Sequence, residues 1–357
     1  MTDLQRKRVP HFCIMQKPLF SVLIPVYNRR EEIEALLDSL EKQTLSKDLF
    51  EVVIIDDGST DGTAEWIKDL QSALNISYLL QPRRGPGAAR NRGMENAKGE
   101  IFVFIDSDCT APPEWLDSIK KAFQSDPDIM AYGGRDDAKI EFPPLLKAIN
   151  HTMTSFLFTG GMRGGKKKRL AKFYPRSFNM GIRCELYKKI DGFGKLRHGQ
   201  DIEFSNRIIR SGVKVAYIPE AVVYHRRRTS PWKFFKQVFN WGVARINLYK
   251  IDSAMLEPLH FMPAFGFWFV LIFTMMALFF TPLFAMWKIL ALLAVIIVTA
   301  SSLEASIKWK SLTTGLYVPL VVFLQISGYA LGFSSALLWR VILNKSEFTG
   351  FVKRYYK

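Results

Sequence analysis

The first half of the chain alternates short apolar runs with amphipathic stretches. Phe20–Val26 (FSVLIPV) is apolar almost throughout and is followed by polar residues, which predicts a buried strand. Glu31–Gln43 places Ile33, Leu36, Leu37 and Leu40 at helical spacing behind an acidic first turn. The pattern continues with a strand at Glu51–Ile55, a turn at Asp57–Gly62 and a helix at Thr63–Ser72. Further strands are predicted at Ile76–Leu80 and Ile101–Ile105, with the helix Gly87–Ala97 between them, then helices at Pro112–Phe123 and Ile202–Ser211. Strands alternating with helices predict an α/β fold with a mostly parallel sheet covered on both faces. Ligands of such sheets bind beyond the C-terminal strand ends, here Tyr27–Asn28, Asp56–Asp57 and Asp106–Asp108. Pro25-Val26-Tyr27-Asn28-Arg29 holds no glycine, so a dinucleotide-type glycine turn is excluded after the first strand.

The pattern changes after about residue 250. Pro258–Trp287 and Leu312–Trp339 contain no Asp, Glu, Lys or Arg, and Ile289–Leu303 is uncharged as well. A bilayer span needs roughly 20 apolar residues, so about three transmembrane helices are predicted, near 262–283, 287–303 and 315–339. Ser230–Tyr249 interleaves Trp232, Phe234, Phe235, Phe239 and Trp241 with Lys233, Lys236 and Arg245. That reads as an interfacial amphipathic helix. The expected organisation is a basic segment 1–18, an α/β domain 19–229, the interfacial region 230–257 and a membrane region 258–357. The N-terminus carries Arg6, Lys7 and Arg8 but no apolar run with a cleavage site, so the α/β domain is expected on the cytoplasmic face of a multi-pass plasma (inner) membrane protein. With three spans, Lys308 and Lys310 lie inside, and the tail bearing Lys345, Lys353, Arg354 and Lys357 lies outside, against the positive-inside preference.

Among 357 residues, 49 Lys and Arg against 33 Asp and Glu give a net charge of +16, with clusters at Arg163–Lys172 and Arg226–Arg228. Basic surface calls for an anionic partner, and membrane lipids next to the apolar tail supply one without invoking nucleic acid. Cys13, Cys109 and Cys184 lack metal-type spacing, in keeping with a reducing compartment.

The polar strand ends carry the candidate chemistry. Asp106-Ser107-Asp108 offers two carboxylates at a strand end, suited to Mg²⁺ or Mn²⁺ bridging phosphate oxygens. Asp56-Asp57 is placed alike and suits a base N–H or ribose hydroxyls, or plain turn and cap chemistry. Arg83-Arg84-Gly85-Pro86-Gly87-Ala88-Ala89-Arg90-Asn91 runs a glycine-containing loop into a helix, a phosphate-favouring arrangement.

The ordered set IPVYNR, VVIIDDGSTDGT, GPGAARNRG, FVFIDSDC, FNMGIR and GQDIEF, over roughly residues 19–245, resembles the family 2 inverting glycosyltransferases with their A-type nucleotide-sugar fold. The resemblance implies a nucleotide-diphosphate sugar as donor, a UDP-sugar being favoured. Pro25, Tyr27, Asn28, Asp57, Arg84, Arg90 and Asp106 would serve the donor nucleotide. Asp106, Asp108 and His225 would serve a Mn²⁺ or Mg²⁺ ion, and Asp201 would be the catalytic base. Asn179, Met180, Gly181 and Gln200 would line the sugar and acceptor pocket. Many relatives carry an acid where this chain has Gln200; Asp201 also opens a helix, which is the bland role for it. Gln237 and Trp241 are similar in part to the Q-x-x-R-W signature of processive synthases, with different spacing and no Arg at that place; they join the acceptor candidates. The acceptor would be lipid-linked or a surface glycan. A processive polysaccharide synthase, a polyprenyl-phosphate sugar transferase, a nucleotidyltransferase and a non-catalytic nucleotide-binding membrane scaffold are the other readings.

Overall fold

The computed structural model describes residues 17–139, 141–159, 173–225 and 230–351. Arg6–Arg8, Cys13, the 163–172 and 226–228 clusters and the tail beyond 351 lie outside the described residues. The chain opens as β1 (Phe20–Val26), α1 (Arg30–Glu41), β2 (Phe50–Asp56), α2 (Thr63–Asp69), β3 (Ile76–Leu80), α3 (Pro86–Asn96) and β4 (Ile101–Ile105). It continues through β5 (Cys109–Thr110), α4 (Trp115–Ser125), β6 (Ile129–Asp137), α5 (Pro144–Thr154), α6 (Phe156–Thr159), β7 (Asn179–Arg183), α7 (Cys184–Ile190), α8 (Gln200–Arg210) and β8 (Lys214–His225). The last helices are α9 (Pro231–Tyr249), α10 (Met262–Ala277), α11 (Thr281–Trp309) and α12 (Leu312–Ala336).

The sheet has eight strands in the order β3-β2-β1-β4-β7-β6-β8-β5. β3, β2, β1 and β4 run parallel to one another and β6 runs parallel to β8, whereas β7 runs antiparallel between β4 and β6, and β5 runs antiparallel to β8. The sheet is thus mixed. Alternate residues of one strand enter opposite cores, as the two-residue period of a strand demands. Val22, Ile24, Val52 and Ile54 pack with Ile33, Leu36 and Leu40 of α1 and Trp115 and Ile119 of α4. Leu23, Val53 and Ile55 pack on the other face with Ala89 and Met94 of α3 and Phe204 and Ile208 of α8.

The C-terminal region differs from the three spans predicted. The apolar tail breaks at 278–280, because Pro282 sits in the first turn of α11, where its missing N–H is harmless. That leaves α10 with 16 residues, about 24 Å of helix against a hydrocarbon core of about 30 Å. Among the described residues two helices are long and apolar enough to cross a membrane, Thr281–Trp309 and the helical stretch Leu312–Ile342. The most apolar stretch of the first is wholly uncovered by the rest of the protein, whereas 44% of the second is covered.

What covers α12 is mainly α9. A Cβ on Gly332 would lie 2.0 Å from the Phe239 carbonyl oxygen, and one on Gly242 would lie 2.3 Å from that of Tyr329. Small residues spaced Gly328-x-x-x-Gly332 let the two backbones meet. The helix expected to lie along an interface with one open face is instead enclosed from Gly242 to Leu248, while Trp232 at its start is exposed. Val318, Val321 and Val322 of α12 also pack on Ala148 and Ile149 of α5, tying the apolar helices directly to the α/β domain.

Candidate functional site

The ends of β1, β2 and β4 converge with the start of α3, as the topology predicts. Asn28 adopts φ +50, a conformation asparagine tolerates, and its Oδ1 accepts the Thr60 N–H at 2.7 Å. The Ser59 hydroxyl accepts the Asn28 N–H in return at 2.9 Å, so the loops after β1 and β2 are tied to each other. Tyr27 lies beneath the Arg83 guanidinium, 4.2 Å from the ring centroid. Pro25 belongs to β1 itself, paired with Ile55.

Asp57 is buried, and its carboxylate is the anchor of the following loop. It accepts Gln81 Nε2 at 2.8 Å, the Arg84 N–H at 2.7 Å and the Gly85 N–H at 2.7 Å. Gly85, at φ +91, then hands over to Pro86 at the start of α3. Asp57 therefore fixes how α3 and the exposed Arg84 face the cleft. Asp56, the other member of the pair, accepts the Ser59 N–H and the Tyr78 hydroxyl.

The two acids after β4 turn to different partners. Asp106 is bound by the buried Arg90 of α3, whose guanidinium also stacks on Phe193. Asp108 accepts Arg29 Nη1 at 2.8 Å, and its other oxygen is 3.2 Å from His225 Nε2. The pairing of β5 with β8 creates this meeting, because Cys109 stands opposite His225 in the register. Ligand atoms of Asp108, Cys109 and His225 lie within 4.8 Å of one another. Burial first, and then the nearby acids, raise the pKa of the Cys109 thiol. The carboxylate of Asp108 and the imidazole of His225 are a donor pair that fits a divalent ion such as Mn²⁺. His225 Nδ1 is buried without a hydrogen-bond partner among the described residues, so no acceptor there fixes the ring from the side away from Asp108. Asp106 stands outside this group, on the Arg90 side.

Asp201 lies in the first turn of α8, and its Oδ2 is 3.3 Å from Arg176 Nη1. It is not the helix cap: Gly199 holds that position at φ +82, and no side chain caps the helix. Glu203, two residues on, is held by Arg207 at 2.6 and 3.0 Å. Arg207 also donates to the Gly192 carbonyl, so Glu203 serves the turn before α8. Gln200 is buried, donates to the Gly194 carbonyl at 3.0 Å and lies against Gly87, where a Cβ would come within 2.7 Å of its amide.

The remaining candidates sit inside the frame. Asn179 is fully engaged, accepting Trp115 Nε1 and donating to the Arg135 and Ala221 carbonyls. Met180 is in the core, and Gly181 lies under Tyr132. Trp241 packs on the cluster between α5 and α12, with Gln237 half-buried on the same helix. Sequence reasoning assigned no role to Arg29, Gln81 or Arg176. Arg29 is adjacent to the β1 end and so had a positional signal; Gln81 and Arg176 had none.

Residues 21–191 form a domain that matches Glycosyl transferase family 2. Glycosyltransferase AglE of Haloferax volcanii is 28% identical over 244 residues, 67% of this chain and 77% of that protein. The dolichyl N-acetyl-alpha-D-glucosaminyl phosphate 3-beta-D-2,3-diacetamido-2,3-dideoxy-beta-D-glucuronosyltransferase of Methanococcus voltae is 26% identical over 272 residues, 71% of this chain and 79% of that protein. The fold is also that of mannosyltransferase PcManGT from Pyrobaculum calidifontis, in complex with GDP-Man and Mn²⁺, with a TM-score of 0.58 at 19% identity over 91% of this chain and 88% of that one.

Proposed function

We propose that this chain is a membrane-bound inverting glycosyltransferase that moves a sugar from a nucleotide-diphosphate sugar to a lipid-linked or surface-glycan acceptor at the cytoplasmic face of the plasma (inner) membrane. The observation that carries the reading is the partly exposed carboxylate of Asp201, at a helix start that abuts the α3 loop through Gln200 and Gly87. The names of the relatives support it: one acts on a dolichyl-phosphate-linked sugar, and a protein of the same fold is described with a nucleotide sugar and Mn²⁺. The two long apolar helices packed on the domain support the membrane setting.

In this reading the stacked pair Tyr27 and Arg83 borders the site of the nucleotide base, and the loop that Asp57 anchors presents Arg84 to the diphosphate. Asp108 and His225 would hold a divalent ion, which when bound neutralises phosphate charge as a Lewis acid. Asp201 takes the proton of an acceptor hydroxyl as that oxygen forms its bond to the anomeric carbon. The bond from that carbon to the nucleoside diphosphate breaks on the opposite side, so the configuration inverts. The proton ends on Asp201 and the electron pair on the departing diphosphate. The test is detergent-solubilised full chain with a panel of UDP-, GDP- and dTDP-sugars and Mn²⁺. Release of one nucleoside diphosphate dependent on a lipid-linked acceptor is expected; no release from any donor contradicts the reading.

A further inference from the structure

On the side of Asp201 away from α3, four parts of the chain enclose a polar cluster that the transfer step does not use. Arg245 of α9 is 7% exposed, and its Nη1 is buried without a hydrogen-bond partner among the described residues. Its place follows from its helix neighbours. Gly242, one turn earlier, is pressed against the Tyr329 carbonyl of α12. Leu248, one turn later, is buried with Tyr174 and Ile202 and lies against Gly199, the cap of the Asp201 helix. Arg245 therefore stands between the start of α8 and the apolar helices.

A second donor lies in the same enclosure. His260, 3% exposed, accepts the Glu257 N–H on Nδ1 at 2.9 Å. Burial, then Arg245 and Arg176, lower its pKa to about 3, so the ring is neutral and carries its proton on Nε2. Nε2 is buried and has no partner among the described residues. Tyr329 closes the group by donating its hydroxyl to the His260 carbonyl at 2.9 Å.

Arg176 is matched by Asp201, but Arg245 forms no ion pair among the described residues. Glu257, bonded to His260, also has its Oε1 buried without a hydrogen-bond partner among the described residues, so the cluster holds two guanidiniums and two carboxylates. A buried guanidinium with an unmet N–H is unfavourable unless an anion meets it, and guanidinium matches the oxygens of phosphate. The donor diphosphate is read on the basic loop on the far side of Gln200, so an anion that meets Arg245 would be a second one. Arg176 and Asp201 are each partly exposed, whereas Arg245 and His260 are buried.

We propose that Arg245, with Arg176 and His260 Nε2, binds the phosphate by which a lipid carries the acceptor. The proposal rests on the reading of Asp201 as the base, since it puts the acceptor's anion beside that residue. Its test reads binding rather than turnover, so it stands or falls separately from glycosyl transfer.

The full chain in neutral detergent is titrated with farnesyl phosphate, farnesol and inorganic phosphate, and is reconstituted in nanodiscs of phosphatidylcholine with or without phosphatidylglycerol. Farnesyl phosphate is expected to bind, with farnesol and inorganic phosphate far weaker. Arg245→Gln should weaken farnesyl phosphate by about 10- to 100-fold, the loss of a charged hydrogen bond, while Mn²⁺–nucleotide affinity reports that the variant is folded. Should Arg245→Gln not fold, Arg245→Lys and His260→Phe are read instead, each with a several-fold loss expected. Unchanged affinity in a folded variant overturns the site. Binding of farnesol equal to that of farnesyl phosphate overturns the phosphate. Competition by phosphatidylglycerol or inorganic phosphate at equal concentration overturns an acceptor-lipid source.

Discussion

Asp201→Asn is expected to lower the rate of sugar transfer by about 10²- to 10⁴-fold, the usual consequence of removing a general base, with little change in melting temperature. Stability is spared for structural reasons. The cap of α8 is Gly199, not Asp201, and no side-chain capping bond is lost. The single ion pair to Arg176, at 3.3 Å with both partners partly exposed, contributes no more than about 1 kcal/mol. Nor does Glu203, two residues on, offer a substitute base, because both its oxygens are held by Arg207. Steady-state turnover and thermal unfolding of the same preparation check this. A variant that turns over at the wild-type rate removes Asp201 from the proton transfer. A variant that loses its fold makes the residue structural.

Asp108→Asn is expected to abolish metal-dependent nucleotide binding. Asn has the shape of Asp and its oxygen can still accept from Arg29, but it is neutral and a poor ligand for a hard cation. Loss of a residue that only hydrogen-bonds a metal ligand typically costs about 10- to 100-fold in metal affinity. Removal of a ligand is therefore expected to weaken Mn²⁺-dependent UDP or GDP binding by at least about 100-fold. In EDTA the wild type and the variant should bind nucleotide alike. Wild-type affinity of Asp108→Asn in the presence of Mn²⁺ would remove Asp108 from the ion.

Much of the α/β domain was legible because its strands are nearly continuous apolar runs. Phe20–Val26, Ile76–Leu80 and Ile101–Ile105 form as predicted, and the acids at strand ends gather at one edge of the sheet. What was not legible depends on contacts across long sequence separations. Asn179 has the polarity of a pocket residue, yet Trp115, Arg135 and Ala221 consume its hydrogen bonds. Asp57 accepts the backbone of the loop at residues 84 and 85, a bond that no local pattern announces. The spacing of Ser230–Tyr249 suggested an interfacial helix, whereas Gly242 and Gly332 let it be buried against α12. The three predicted spans became two long helices and a short one, because Pro282 begins a helix rather than ending one. His225 reaches Asp108 only through the short β5–β8 pairing, which two residues of strand sequence do not signal.

The central claim is a single displacement at the anomeric carbon, assisted by Asp201. The most direct test is the anomeric configuration of the transferred sugar in the first product, read by NMR with the donor that the full chain accepts. An α-linked nucleotide sugar is expected to give a β-linked product, formed far more slowly by Asp201→Asn. An α-linked product would contradict the account.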